Sequence, residues 1–150
     1  MRSWLKDHFF KRKQKDRNFV ESGSNLLEKM IASCNRKPIP IRTFLSQQLR
    51  QATNNYSEHL GMYWYKGSIE GRSVLVMRLT EVWTNCAVND IVISAKMCAH
   101  SNVLKPIGCC LETPCPILVY EFAAIGILAY RIYVKRVTEL QHQPMVWERR

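Results

Sequence analysis

The hydrophobic period changes twice between Met62 and Glu121, which rules out an all-helical and an all-strand fold. Met62-Tyr63-Trp64-Tyr65 and the β-branched run from Ser73 to Leu79 have strand character, joined through the turn signal Gly67-Ser68-Ile69-Glu70-Gly71. From Thr84 to Ala99 the period is helical: Val88, Ile91, Val92, Ala95 and Ala99 recur on one face, with Asn89, Ser94 and Lys96 on others. Leu104 to Leu111 and Ile117 to Glu121 return to strand character. The order reads strand, strand, strand, helix, strand, strand, then a hinge-like Phe122 to Gly126 and a last helix from about Leu128.

Upstream, Leu26, Leu27, Met30 and Ile31 share a face of a helix over residues 24–34, with Ser24 or Asn25 as its cap. This second apolar stripe reads either as an internal brace or as a docking helix, with Leu27 and Ile31 its test positions. Pro38 and Pro40 then force extended backbone. A short helix follows from Ser46 to Thr53, ended by Asn54-Asn55. The net charge of +10 is uneven: residues 1–50 carry +8 and residues 51–150 only +2. Lys11, Arg12, Lys13, Lys15 and Arg17 are interleaved with Phe9, Phe10 and Phe19. That segment reads either as a solvated arm or as an element that meets anionic lipid, each cation contributing about 1 kcal/mol. Nothing in the body resembles a nucleic-acid module, so nucleic acid is not an expected partner. The division is thus a basic, partly helical extension over residues 1–41 and a folded unit over 42–150.

Six cysteines include no CxxC pair, and the four histidines have no metal-ligand spacing, so no metal site is expected. Cys109-Cys110 lies in an apolar run and reads as buried packing. With no secretory signal, the reading is a cytoplasmic protein with reduced thiols. The uncharged stretch Phe122 to Tyr130 is too short to span a bilayer, and Met1-Arg2 is not a myristoylation start. Membrane contact, if made, is expected to be peripheral, at the inner face of the plasma membrane.

The motifs narrow the class. Phe44 to Tyr56 (FLSQQLRQATNNY) resembles the F-S-x-x-E-L-x-x-A-T-N-N-F lead-in of plant receptor-like kinases. Tyr65-Lys66-Gly67 resembles their second-strand Y-K-G. Asn102-Val103-Leu104-Lys105 with Gly108 to Thr113 is similar to N-V-V-K-L-L-G-C-C-L-E-T of wall-associated kinases, and Leu118 to Phe122 looks like the fifth strand and hinge. Asn89-Asp90-Ile91-Val92 and the opening Met1 to Lys6 resemble the ZRK group of cytoplasmic pseudokinases more narrowly. The resemblance implies an α+β kinase small lobe: a five-stranded antiparallel sheet with one main helix, preceded by a helical extension.

The departures from that pattern bear on activity. The family's glycine-rich loop, whose amides cover nucleotide phosphates, is reduced to Leu60-Gly61 followed by Met62, Tyr63 and Trp64. Where the family reads V-A-V-K, this chain reads Val74-Leu75-Val76-Met77, so a thioether stands where a lysine would hold phosphate. Leu75 lies on the same strand face as Met77, while Arg78 points to the other. The helix glutamate is matched by Asp90, or by Ile91 in an ungapped alignment. A degenerate ATP site is therefore expected at Gly61, Leu75, Met77, Tyr120, Glu121 and Phe122, with no ATP and no catalytic residue. The chain stops at Trp147 to Arg150, which resembles the start of the first large-lobe helix, and no H-R-D or D-F-G loop follows. By resemblance, the implied role is an adaptor that binds an NLR immune receptor or other kinase-like proteins. The alternatives are a kinase fragment with residual ATP binding and a non-functional duplication product.

Overall fold

The computed structural model describes residues 2–33 and 41–123. The expected break at Pro38 and Pro40, the helix from Leu128 and the Trp147–Arg150 segment lie outside the described residues.

Residues 2–33 form a single helix, α1 (Arg2–Ser33), about 48 Å long at 1.5 Å per residue. The helix expected from Ser24 instead begins at Arg2 and includes the basic segment. The run Ser22-Gly23-Ser24 does not interrupt the helix because Ser22 and Gly23 lie close against the body. Ser22 is buried, and a Cβ at Gly23 would meet Leu111 at 3.7 Å, an ordinary contact. Tertiary packing thereby outweighs weak local propensity.

Five strands follow: β1 (Arg42–Thr43), β2 (Trp64–Ile69), β3 (Arg72–Arg78), β4 (Pro106–Cys110) and β5 (Ile117–Glu121). They lie side by side in the order β1-β4-β5-β3-β2. The sheet is mixed, which corrects the antiparallel expectation: β1 pairs parallel with β4, and the other neighbours are antiparallel. Gly61 and its neighbours contribute no full strand, only an isolated bridge from His59 to Tyr65. The β2–β3 turn is tighter than the sequence suggests. Gly67 lies within β2, and Glu70 and Gly71 close the hairpin with φ of 52° and 76°, matching the right-handed strand twist.

Helix α2 (Ser46–Ala52) ends where expected, and its closure has a specific cause. The buried Thr53 hydroxyl donates to the Leu49 carbonyl at 2.7 Å and accepts from the Tyr56 amide at 3.0 Å. That holds Asn54, Asn55 and Tyr56 at positive φ, a region asparagine tolerates and tyrosine enters only when held. Helix α3 (Thr84–Lys96) follows a short 3₁₀ turn, Glu81–Trp83.

Strand alternation splits the core into two layers. Leu75, Met77, Cys109, Leu118 and Tyr120 face α3 through Val88, Ile91 and Val92, and Leu26 of α1 joins them. Val74, Val76, Cys110, Ile117 and Val119 face Leu49 of α2 and Phe44. The adjacent cysteines thus serve opposite layers, as their alternating geometry requires. Burial pushes the Cys109 thiol up to about 12, with Cys110 adding to it, and burial raises Cys110 and Cys115 as well. A thiol reagent at neutral pH is expected to label exposed Cys86 and half-buried Cys98 rapidly. It should reach Cys109, Cys110 and Cys115 only at the rate of unfolding, because the reactive species is the thiolate. Equal labelling rates, resolved by peptide mapping, would contradict this packing.

Candidate functional site

The α3-facing side of the sheet carries the expected nucleotide-site positions. Register places Trp64 opposite Met77, Met77 opposite Leu118, and Leu75 opposite Tyr120. The Trp64 and Tyr120 rings lie 5.7 Å apart at 55°, and Leu75 and Met77 are both buried. Leu60, Tyr63, Trp64 and Phe122 pack against this group, half-buried. This face of the sheet is packed with apolar and aromatic side chains.

The loop before β2 folds on itself. The Leu60 amide donates to the Trp64 carbonyl at 2.9 Å, and the Trp64 amide donates to the Gly61 carbonyl at 3.4 Å. The Trp64 amide is therefore committed to the turn. Met62 at its tip projects into solvent.

Asp90 and Ile91, the two matches for the helix carboxylate, have different roles. Ile91 is core, 1% exposed. Asp90 accepts a 2.8 Å hydrogen bond from the Tyr120 hydroxyl. Burial raises the Tyr120 hydroxyl well above its ordinary value, and Asp90 adds to that shift, so the phenol stays protonated as the donor. Glu121 turns away from the face, accepting from the Lys105 amide at 3.0 Å. Lys66 shares a 3.7 Å ion pair with Glu58 and sits 5.7 Å over the Phe122 ring. Leu75, Met77, Tyr120 and Phe122 are thus brought together, whereas Gly61 sits in the turn and Glu121 is committed elsewhere. Among the described residues, no group of three or more His, Cys, Asp or Glu is placed to hold a metal ion.

Helix α1 makes a seam with the body that the sequence did not indicate. Lys29 donates to Asn89 of α3 at 2.9 Å, and buried Asn18 donates to the Glu112 carbonyl at 3.2 Å. The Glu112 carboxylate accepts from the Ser46 hydroxyl at 2.6 Å and the Ser46 amide at 2.9 Å, and pairs with Lys15 at 3.4 Å. Partial burial pushes that carboxyl up, but Ser46 and then Lys15 outweigh it and hold it below the usual range. The anticipated stripe divides: Leu26 is buried and Met30 half-buried, while Leu27 and Ile31 are 60% and 71% exposed. The brace is therefore Leu26 with Met30, and Leu27 and Ile31 face outward. Of the five basic positions, Lys15 is committed to Glu112 and Ser46, and Lys11, Arg12, Lys13 and Arg17 are exposed. No described helix is long and apolar enough to cross a membrane.

Glu112→Gln is expected to cost about 2 kcal/mol at neutral pH, since it weakens hydrogen bonds to a charged acceptor. Because the folded-state pKa is depressed, that stability is complete above the unfolded carboxylate value. It is lost as pH falls through the folded value, so the gap between wild type and variant should close in acid. Urea titrations from pH 3.5 to 7 check this; a gap independent of pH would refute it.

No protein-family model matches the chain. A protein named serine/threonine-protein kinase ZRK1, from Arabidopsis thaliana, is 41% identical over 87% of this chain and 42% of its own length. Two Arabidopsis thaliana proteins named as non-functional pseudokinases, ZRK2 and ZED1, are each 42% identical, covering 81% and 77% of this chain. The chain belongs to the plant ZRK/ZED1 kinase-like family. This ZRK-group chain spans about two fifths of the length of these relatives: 42%, 38% and 37%. A solved structure of an apo pseudokinase matches it with a TM-score of 0.54 at 19% identity, over 74% of this chain and 46% of the other, a likeness of fold. Within the ZRK group the names are divided, some relatives being called kinases and others pseudokinases.

Proposed function

We propose that this chain is the small lobe of a catalytically silent kinase-like protein, and that it works by binding other proteins. The observation that carries the reading is the sheet face where Trp64, Leu75, Met77 and Tyr120 occupy the position of a nucleotide cleft. In this reading a thioether at Met77 offers phosphate no charge and the packed side chains serve to hold the lobe together. The pseudokinase names of several relatives support the same reading. The partner class implied by the family resemblance is an NLR immune receptor or another kinase-like protein.

The binding element in this proposal is the outer face of α1. Phe9, Val20, Leu27 and Ile31 recur there at helical spacing, all exposed, while the inner face is committed to the body. Exposed apolar stripes of this length on an otherwise braced helix mark interaction sites. Changing Leu27 and Ile31 to Asp tests it. Both side chains are exposed, so the thermal midpoint should move little, while capture of an NLR or kinase-like partner in a pull-down should fall at least tenfold. A folded double variant that keeps its partner would overturn the assignment.

A peripheral membrane contact is a secondary reading, favoured by one cluster. Lys6, Phe9, Phe10 and Lys13 surround an apolar hollow on α1, a pairing of cations and aromatics suited to anionic lipid headgroups.

A further inference from the structure

A second concavity lies between α1, α2 and the end of β3, outside the nucleotide-site face. It has a volume of about 610 Å³, and Lys11, Lys15, Arg50 and Arg78 line it together with Tyr56 and Glu112. Four cations thus converge around one carboxylate. That carboxylate is already committed to Lys15 and to both donors of Ser46. Among the described residues, Lys11, Arg50 and Arg78 have no ion-pair partner. Like charges gathered in a concavity repel one another and create a positive potential that an anion relieves.

One of these cations, Arg78, is held in place. The Arg78 guanidinium stacks 4.8 Å from the Tyr56 ring centroid, and its backbone is fixed in β3. Tyr56 itself is held at a positive φ of 60° by the Thr53 hydroxyl, and its ring packs edge-on against Tyr65 at 5.2 Å. Arg50 lines the same concavity as Tyr56 and Arg78. A guanidinium held in this way, with its planar donor fork, suits the geometry of a phosphate oxygen pair.

We propose that this cleft binds a phosphorylated segment of a partner protein, with Arg50, Arg78 and Lys11 around the phosphate. The inference rests on the reading of the chain as a partner-binding lobe and names what part of the partner enters. The volume exceeds a single phosphate group and falls in the range of ligand pockets. Tyr56, Thr113 and Ile117 supply apolar edge for the residues beside the modified side chain. A bilayer is the weaker occupant. Phe9 lies about 160° around the helix from Lys11 at 100° per residue, so the apolar hollow that Phe9 helps to form faces away from the cleft.

The test uses the full chain and a fluorescent Gly-Ala-pSer-Ala-Gly peptide, with its unphosphorylated twin, inorganic phosphate as competitor, and vesicles bearing phosphatidylinositol bisphosphate. The phosphopeptide should bind and its twin should not, and inorganic phosphate should compete only at much higher concentration. Arg50→Gln and Arg78→Lys should each weaken phosphopeptide binding about tenfold, since each removes or degrades a charge-assisted contact. Lys13→Gln, on the other side of α1, should leave it unchanged. Circular dichroism confirms that the variants fold, and Arg78→Lys keeps the charge while removing the planar donor fork. Equal binding of both peptides, indifference to Arg50 and Arg78, or vesicle binding that depends on these two residues would each overturn the proposal. Equal capture of a kinase-like partner before and after phosphatase treatment overturns it while leaving partner binding intact. Loss of capture in both forms strikes the partner-binding reading instead, and the peptide titration still decides the cleft.

Discussion

Gly108→Ala is expected to destabilise the protein by about 3 kcal/mol, the largest effect of any glycine substitution among the described residues. A Cβ at Gly108 would overlap the Arg42 carbonyl oxygen and lie 2.7 Å from the Phe44 ring. Neither neighbour can retreat cheaply. Arg42 and Thr43 pair with Gly108 and Cys109, and the Phe44 amide donates to the Cys109 carbonyl at 2.9 Å. Phe44 itself is 4% exposed in the second core layer. Relief of the clash therefore requires peeling β1 from β4 and moving a buried aromatic ring. The comparison with other glycines sharpens the test. At Gly67 the nearest atom, the Ala52 carbonyl oxygen, would be 3.1 Å from the added carbon, so a few tenths of an ångström of adjustment is needed. Gly23 has ordinary space within a helix, and Gly23→Ala should be neutral or stabilising by up to about 1 kcal/mol. Urea unfolding of the three variants should rank them in that order. A Gly108→Ala protein as stable as wild type would mean that the β1–β4 contact is not part of the folded state.

Met77→Lys is expected to destabilise by several kcal/mol without creating a nucleotide site. Restoring the family's lysine places an ammonium among Trp64, Leu118 and Tyr120, at a position 8% exposed. The carboxylate of α3, Asp90, already accepts from Tyr120. Burial depresses the folded-state pKa of such a lysine. The unfolded chain then binds more protons, so the variant's deficit should shrink as pH rises toward the ordinary lysine value. Met77→Leu, which conserves apolar volume, should cost under about 1.5 kcal/mol and separates charge from shape. Calorimetry with Mg-ATP should give no isotherm for wild type or for either variant. Micromolar binding by the wild type would refute the silent-lobe reading; binding gained only in Met77→Lys would show the cleft to be open where Leu75 and Trp64 are placed.

The order from β2 to β5 was legible because period and breaker residues are local properties, whereas the third strand expected before α3 is β1, which lies ahead of α2. Val88, Ile91 and Val92 lie at helical spacing and form the buried face of α3; Leu75 and Met77 share a strand face because alternation leaves no other choice. Cys109 and Cys110 read as packing, and both are buried. The short β1 was not legible: Arg42–Thr43 is too brief to show a period, and its parallel partner lies far along the chain. The continuity of α1 through Ser22, Gly23 and Ser24 was hidden for a related reason. Small residues look like a break in sequence and become a close contact only when Leu111 is beside them.

By itself, then, the sequence determined which residues alternate and which recur at helical spacing, and with them the order from β2 to β5 and the absence of a lysine at Met77. Tertiary structure alone decided that Leu26 and Leu27 part company, one buried and one exposed, since adjacent helical positions are 100° apart and only the body's position selects between them. It also decided that Lys11 and Lys15 of α1, Arg50 of α2 and Arg78 of β3 line one cleft. No local pattern encodes that convergence, because it arises from three elements docking, each for the sake of its own apolar contacts.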